Sequence, residues 1–529
     1  MTSTEHSVSD CAAELLTPLP VGRKPRRDDV FDCRVHSLGA RGGAVAKWGE
    51  FTVELRAGVP GELLRCEVTK RRGQKIRARV QERLEASPRG VDAKCPHFNS
   101  CGGCSFQDSA YDLQLEEQHA RLGDLLQSLR AEHPFDLAPI VAASEVFGYR
   151  NKMDFTFAAA RWIEESEPEN TDRRGDFAVG LHAPGRFDKV LDISGCAIAF
   201  EGADEILTAV REVALSMGLL PWNLRENTGL LRHLVVRKGF RTGEVLVYLV
   251  TSKEPAAYTA IADYAAEIVR RCPQITTFVQ GLRAATSCVS IGEEDVVLHG
   301  PGKITEELGG LTFEISPRSF FQTNTKAAEQ LFEIVAKEAC PSSEEVVFDM
   351  YCGAGTIGLL MAEHCKEVWG FEKIEDAVHD ARRNAERMGI TNAQFFAGDV
   401  LETASAEGLA KIGAPAPDVV IVDPPRAGLH PGVTKFLGEL AAPRLVYVSC
   451  NPKAGALDLA KLIELGYKVL HAIPVDLFPH TPHLECVFTL ERDPDWTPPA
   501  AEELAVVEEE FVPPTEVKWV APSAEEQSD

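Results

Sequence analysis

Nowhere in the 529-residue chain do about 18 apolar residues follow one another, so a membrane-spanning helix is excluded. The N-terminus lacks the basic-then-apolar order of a secretory signal. With Glu5, Asp10 and Glu14 it also lacks the acid-poor composition of a transit peptide, and a cytosolic location is expected. Positive charge is in short supply: 55 Lys and Arg stand against 80 Asp and Glu, a net charge of −25, which on its face argues against a nucleic-acid partner. Its distribution reverses that reading. From Asp493 to Asp529 eleven acids face Lys518 alone, interspersed with prolines that include Pro498, Pro499, Pro513 and Pro514, the composition of a disordered acidic tail. From Val21 to Glu85, sixteen Lys or Arg outnumber nine acids, and RNA binding there is allowed by local charge. The 44% apolar content suffices for several cores, and the length implies two to four domains.

Residues 1–28 show no hydrophobic period and are expected to be a flexible extension; Arg23-Lys24-Pro25-Arg26-Arg27 suits a phosphate-binding arm or a nuclear address. Residues 29–88 alternate short β-rich runs with turns, predicting a five-stranded OB-like barrel with the basic turn Lys70-Arg71-Arg72-Gly73. The region resembles a TRAM domain, an RNA-binding module; a barrel serving only as a packing module is the alternative.

Residues 89–312 read as a cysteine-bearing α+β domain. Cys95, Cys101 and Cys104 lie in a Cys-x5-Cys-x2-Cys group, and Cys196, after Gly195, is a fourth candidate ligand. Four thiolates can hold a [4Fe-4S] cluster or tetrahedral zinc, and spacing does not separate the two. Tyr111 to Leu129 has helical spacing and is expected beside this group. Arg150 and Lys152 could touch phosphate or form a solvated pair, and Arg232 and His233 sit in an apolar strand where RNA contact and packing compete.

Residues 313–492 alternate strand and helix, which requires a mostly parallel, doubly wound sheet with ligands beyond the carboxyl ends of its strands. Asp349-Met350-Tyr351-Cys352-Gly353-Ala354-Gly355 forms a strand-turn-helix whose glycines let the main chain approach a ligand. Glu372 ends the next strand, where a carboxylate can accept both hydrogen bonds of a ribose diol. This turn resembles motif I of class I S-adenosylmethionine methyltransferases. Gln322, in Phe320-Phe321-Gln322, suits the amino-acid end of such a donor. Asp399, Asp423 and Cys450 follow at further strand ends, so polar groups converge on one sheet edge. Asp423-Pro424-Pro425-Arg426 resembles the Asp-Pro-Pro-aromatic loop of amino-group methyltransferases, but Arg426 replaces the aromatic, which argues against nitrogen as acceptor.

Cys450, at the end of Leu445-Val446-Tyr447-Val448-Ser449, carries the chemical argument. A thiol there can add to carbon 6 of uracil and turn carbon 5 into a nucleophile; carbon 5 takes no methyl group at a useful rate otherwise. A base must then remove the carbon 5 proton, and Glu485 is the candidate. An ordinary thiol is only a few per cent thiolate at pH 7, so the pocket is expected to lower the Cys450 pKa or to offer a proton acceptor, with Arg426 near the sulfur.

Over residues 29 to 492 the chain resembles the RNA uracil-5 methyltransferase family, on the TRAM-like barrel, the four cysteines, Phe320-Phe321-Gln322, Asp-x-Tyr-Cys-Gly-x-Gly, Asp-Pro-Pro-Arg, Ser-Cys-Asn-Pro and His483-Leu484-Glu485. The resemblance implies a multidomain α/β enzyme with a Rossmann-like class I methyltransferase sheet, acting as a monomer on ribosomal or transfer RNA. It implies S-adenosylmethionine on Gln322, Tyr351, Glu372, Asp423 and Asp399, and a [4Fe-4S] cluster on Cys95, Cys101, Cys104 and Cys196. Cys450 would be the nucleophile and Glu485 the base. Thr356 stands where some members carry Asn, and Leu484 where Val is common. The competing readings are an amine or protein methyltransferase and an RNA-binding protein without catalysis.

Overall fold

The structure, a computed structural model, describes residues 17–20, 23–163, 177–186, 188–253, 257–286 and 289–497. Most of the flexible extension and nearly all of the acidic tail expected from sequence lie outside these residues.

Five strands, β1 (Val30–Leu38), β2 (Ala44–Trp48), β3 (Phe51–Leu55), β4 (Leu63–Arg72) and β5 (Lys75–Glu85), close a barrel in the order β1-β2-β3-β5-β4. Side-chain alternation builds it: Phe51, Val53 and Leu55 of β3 point inward while Thr52 and Glu54 remain half-exposed. Phe31 and Trp48 stack at 4.2 Å inside. Lys70, Arg71 and Arg72, expected in a turn, form the exposed end of β4, and the turn to β5 is Gly73-Gln74.

The long helix α1 (Tyr111–Glu132) and the two-residue strand β6 (Asp136–Leu137) come next. The middle of the chain then forms an eight-stranded sheet from β7 (Lys152–Ala158), β8 (Arg161–Trp162), β9 (Ala178–His182), β10 (Val190–Asp192), β11 (Leu231–Lys238), β12 (Val245–Ser252), β13 (Thr277–Arg283) and β14 (Glu294–His299), ordered β14-β13-β12-β11-β7-β9-β10-β8. Helices α2 (Ala203–Ser216) and α3 (Ala257–Arg271) cover one face. The other face, with Val235, Tyr248 and Val250, shares a core with the hairpin β15 (Ile304–Leu308) and β16 (Leu311–Ile315) and with helix α4 (Thr325–Ala339). β11 and β12 are buried almost throughout, and the burial takes in Arg232, His233 and Arg237 of β11 as well as the apolar residues.

The last sheet contains β17 (Val346–Met350), β18 (Glu367–Glu372), β19 (Ala393–Ala397), β20 (Val419–Val422), β21 (Arg444–Ser449), β22 (Tyr467–Val475) and β23 (Glu485–Arg492). Its order is β19-β18-β17-β20-β21-β23-β22-β6, parallel from β19 to β21, with β23 antiparallel to both neighbours. Helices α5 (Thr356–Met361), α6 (Glu375–Met388), α7 (Val400–Thr403), α8 (Ala406–Ile412), α9 (Pro431–Leu440) and α10 (Pro452–Glu464) connect the strands. α7 and α8 are separate helices because Asp399 and Ser405 each cap a new start by accepting from Leu401 N and Gly408 N. α5 ends at Met361.

α1 and β6 precede the middle sheet in the chain yet complete the last one. β6 pairs in parallel with β22, His471 opposite Asp136, and Leu122 and Leu126 of α1 sit in the core beneath β20, β21 and β23. The N-terminal half of α1 reaches the cysteine segment, where Gln114 Nε2 donates to Phe106 O at 2.9 Å. Among the described residues, no helix is long and apolar enough to cross a membrane.

Candidate active site

β17 ends in a turn whose two glycines have different jobs. A Cβ on Gly355 would meet Phe395 at 2.9 Å and Ala381 at 3.0 Å, so this glycine serves packing. A Cβ on Gly353 would meet nothing within 4 Å; the chain there, at φ 55°, borders open space. Tyr351 is also left-handed, at φ 65°, an uncommon conformation for an aromatic residue. Glu372, at the end of β18, accepts from Gly353 N at 3.1 Å and Ile374 N at 2.8 Å, which ties the second strand to the turn.

Asp349 Oδ2 accepts from Gly358 N at 2.8 Å, while Oδ1 is buried with no hydrogen-bond partner among the described residues. Burial, then the nearby Asp423 and Glu372, push the Asp349 carboxyl up to about 7, and burial does the same to Asp423. Asp399 is different. It caps α7, pairs with Lys373 at 3.0 Å and is held below the usual carboxylate range by that lysine. Burial raises Tyr351 to about 12, with Asp399, Asp458 and Glu372 as further charges acting on it. Gln322 is half-buried; its carbonyl accepts from Asn151 Nδ2 at 2.9 Å. Two residues on, Asn324 caps α4 and donates to Leu477 O at 2.9 Å, fastening this segment to the loop after β22.

Cys450 and Glu485 meet through strand register. Ser449 of β21 is paired with Cys486 of β23, so the next residue of β21 stands beside the first of β23. Glu485 is 5% exposed, and burial followed by Asp423 raises it to about 8. The half-buried Cys450 is raised to about 11 by burial, then by Glu485 and Asp423; Arg426 acts the other way. The expectation that the pocket lowers the thiol pKa is therefore not met. Arg426 lies near the sulfur as expected, but desolvation and two carboxylates outweigh it.

No individual role was drawn from sequence for His483, Asn451 or Asp458. Arg426 Nη2 and His483 Nδ1 lie 2.6 Å apart, and desolvation with Arg426 holds His483 down to about 4, so the imidazole is neutral and accepts from the guanidinium. Asn451 Nδ2 donates to Arg426 O at 2.9 Å. Asp458 of α10 accepts from Leu429 N and from Tyr447 Oη, both at 2.8 Å, anchoring the loop after Asp423. A signal for Asp458 exists: it falls at helical spacing among Gly455, Leu459 and Leu462, an acid inside an apolar stripe.

The four cysteines of the N-terminal half come together. Cys104 is raised to about 12, chiefly by burial, with Cys196, Cys101 and Cys95 all near enough to add their charges. Gly102 N donates to His182 O at 3.0 Å, and Asp204 Oδ1 accepts from Cys196 N at 3.0 Å, which fixes the two segments that carry the thiols. Among the described residues, no group of three or more His, Cys, Asp or Glu is arranged to hold a single metal ion.

Residues 307–493 match the model of the tRNA (uracil-5-)-methyltransferase family. An uncharacterized RNA methyltransferase of Chlorobaculum tepidum is 36% identical over 472 residues, 88% of this chain and 97% of that protein. One of Clostridium tetani is 34% identical over 88% of this chain and 98% of its own length. Among solved structures, the Pyrococcus abyssi tRNA (uracil-54, C5)-methyltransferase in complex with S-adenosyl-L-homocysteine superimposes with a TM-score of 0.66 at 27% identity, covering 87% of this chain and all of that one.

Proposed function

Because the chain belongs to the RNA uracil-5 methyltransferase family, we propose that it methylates carbon 5 of a uridine in ribosomal or transfer RNA through a covalent bond between Cys450 and the base. The observation that carries this reading is the meeting of Cys450, Glu485, Asp423 and Arg426 at the ends of β21, β23 and β20.

S-adenosylmethionine, when bound, supplies an electrophilic methyl group on a sulfonium. The residues present fit it: open space beside Gly353, an unpartnered buried oxygen on Asp349 and the carboxylate of Glu372 border the motif-I turn. Gln322, Tyr351, Glu372 and Asp423 would hold it, with Asp399 near the adenine. The β17–β23 sheet is read as a class I methyltransferase sheet, Rossmann-like in its winding, and the barrel as a TRAM domain. The five domains are read with bounds 1–28, 29–88, 89–312, 313–492 and 493–529, and the enzyme as a cytosolic monomer.

Cys450 loses its proton and its sulfur bonds to carbon 6 of uracil, which makes carbon 5 an enolate nucleophile. Carbon 5 takes the methyl group; the electron pair of the broken sulfonium bond stays on the donor sulfur. Glu485, as carboxylate, removes the carbon 5 proton, the carbon 5–carbon 6 double bond re-forms and the Cys450 thiolate leaves. Once the thiolate has regained the proton that Cys450 gave to solvent and Glu485 has passed its own to water, one hydrogen of uracil has been replaced by methyl and one proton released. In the free site Glu485 is mostly protonated at neutral pH and Asp423 about half so. Arrival of a cationic donor is the change in charge that favours loss of those protons. Phe320, 69% exposed two residues before Gln322, offers an aromatic face on which an extruded base can stack.

Cys95, Cys101, Cys104 and Cys196 would hold a [4Fe-4S] cluster. What supports this is that the charges of the other three thiols act on Cys104. The proposed reaction routes no electrons through it.

Incubation with 5-fluorouridine RNA and the methyl donor tests the reading. Fluorine cannot leave as a proton does, so a covalent protein–RNA band is expected with the native enzyme and none with Cys450→Ala. Absence of the band with native enzyme, while methylated product forms on normal RNA, would refute the covalent route.

A further inference from the structure

The loop between β22 and β23, residues 476–484, carries His483 and leads into Glu485. It is held by a region far earlier in the chain. Ser105 N and Phe106 N, directly after Cys104, both donate to His480 O at 2.7 and 3.1 Å. Gln114 of α1 clasps the same residue on two sides: Oε1 accepts from His480 N at 3.0 Å, and Nε2 lies 3.1 Å from His480 Nδ1. At the head of the loop, Tyr111 Oη donates to Asp476 Oδ2 at 2.8 Å and accepts from Ala143 N at 2.9 Å. Near its end, Arg121 Nη2 donates to Pro482 O at 3.2 Å.

The chemistry of this contact is unusual for a helix packed on a domain. Gln114 and Gln118 on the buried face of α1 are fully covered, and both amide atoms of Gln118 lack a hydrogen-bond partner among the described residues. Each such buried polar atom forfeits the hydrogen bond that water gave it and destabilises the fold. Leucines would hold α1 in place more cheaply. Hydrogen bonds fix direction as well as proximity, which apolar contacts do not. The loop also needs holding: His480 sits at φ 69°, a left-handed conformation that non-glycine residues adopt at a cost. A strained backbone clamped by directed hydrogen bonds from Gln114, Ser105 and Phe106, five residues before a buried carboxylate, is an arrangement that positions something.

We propose that Gln114, His480 and Tyr111 are positioning residues: they lock the 476–484 loop against the cysteine segment so that Glu485 is held at the angle its proton abstraction needs. This rests on the reading of Glu485 as the base. It assigns the cysteine segment a place in the geometry of catalysis, as the splint of the base.

The two halves of the reaction separate the possibilities. Adduct formation depends on Cys450 at the end of β21, whereas release of the methylated adduct depends on Glu485. Gln114→Ala is therefore expected to form adduct with 5-fluorouridine RNA within about threefold of the native rate. On ordinary RNA it should turn over roughly 10–100-fold more slowly, the loss falling on kcat and not KM, with a methylated covalent adduct accumulating. Tyr111→Phe, which removes one hydroxyl, should show the same accumulation more weakly, and it carries the test if Gln114→Ala does not fold. Turnover unchanged, a loss confined to KM, or equal slowing of adduct formation and release would overturn the proposal. Failure of the native enzyme to form any adduct would instead sink the functional reading beneath it.

Discussion

Cys450 and Glu485 stand side by side at the ends of two antiparallel strands, one register step beyond the Ser449–Cys486 pair, and the Glu485 carboxylate raises the cost of ionising Cys450. The nucleophile and the base are thus mutually repulsive once both are charged. A site built this way is protonated at rest and gains its reactive forms when substrates arrive.

Cys450→Ser should bind the methyl donor normally but lose methylation by on the order of 10³-fold or more, since a hydroxyl neither ionises nor adds to carbon 6 comparably. Donor binding by calorimetry and methyl incorporation into RNA check the two halves. Retained incorporation would favour an amine or protein acceptor.

Glu485→Gln should slow turnover by about 10²–10⁴-fold and trap ordinary RNA as a methylated adduct, visible as a shifted denaturing-gel band. The pH profile follows from the same group. Its carboxyl titrates near 8 in the free enzyme, so the native kcat/KM should rise with pH from about 6.5 to beyond 8, and the Gln variant should lose that inflection.

Stability should run opposite to activity. Asp349 and Asp423 titrate near 7 and Glu485 near 8 in the folded protein, above their unfolded values, so the native state holds protons that the unfolded chain has given up. Unfolding stability in the absence of ligand should therefore fall as pH rises from about 4 to about 8. Melting temperatures measured across that range, with and without the cationic donor, test this; the donor should flatten the slope.

How much of this could be read from sequence depended on the range of the contact. Motif residues at strand ends were legible because a βα unit delivers its carboxyl end to one sheet edge whatever the rest of the chain does. Asp349, Glu372, Asp423 and Cys450 needed only local periodicity. The Cys450–Glu485 adjacency was chemically inferred, but the register that creates it, with β23 inserted between β21 and β22, is a tertiary fact. Gln114 and His480 are 366 positions apart, and a glutamine inside a helical pattern looks like any solvated residue until its partner is seen. The Cys450 pKa was misjudged for the same reason, because burial of the whole site had to be known before one arginine could be weighed against it.

Anaerobically purified protein is expected to contain iron and sulfide in equal amounts. Cys104→Ser, removing the thiol that the other three surround, should lower both together and shift the near-ultraviolet and visible absorption. Zinc without sulfide in the native protein would contradict the assignment.

Asp458→Ala should cost about 1–3 kcal/mol, since Leu429 N and Tyr447 Oη would lose their acceptor. Denaturant unfolding checks the stability. Methylation should drop beyond what that loss explains, because the released loop carries Arg426.

The placement of α1 and β6 has a consequence for synthesis. Their seat on β22 does not exist until residue 475 has been made, so the ribosome exposes Leu122 and Leu126 for most of translation before their pocket is complete. A fragment trimmed to the family-matched stretch from residue 307 would meet the converse problem, with a bare strand edge and an uncovered apolar hollow. Such fragments should aggregate, and adding back residues 105–143 as a separate peptide should rescue their solubility.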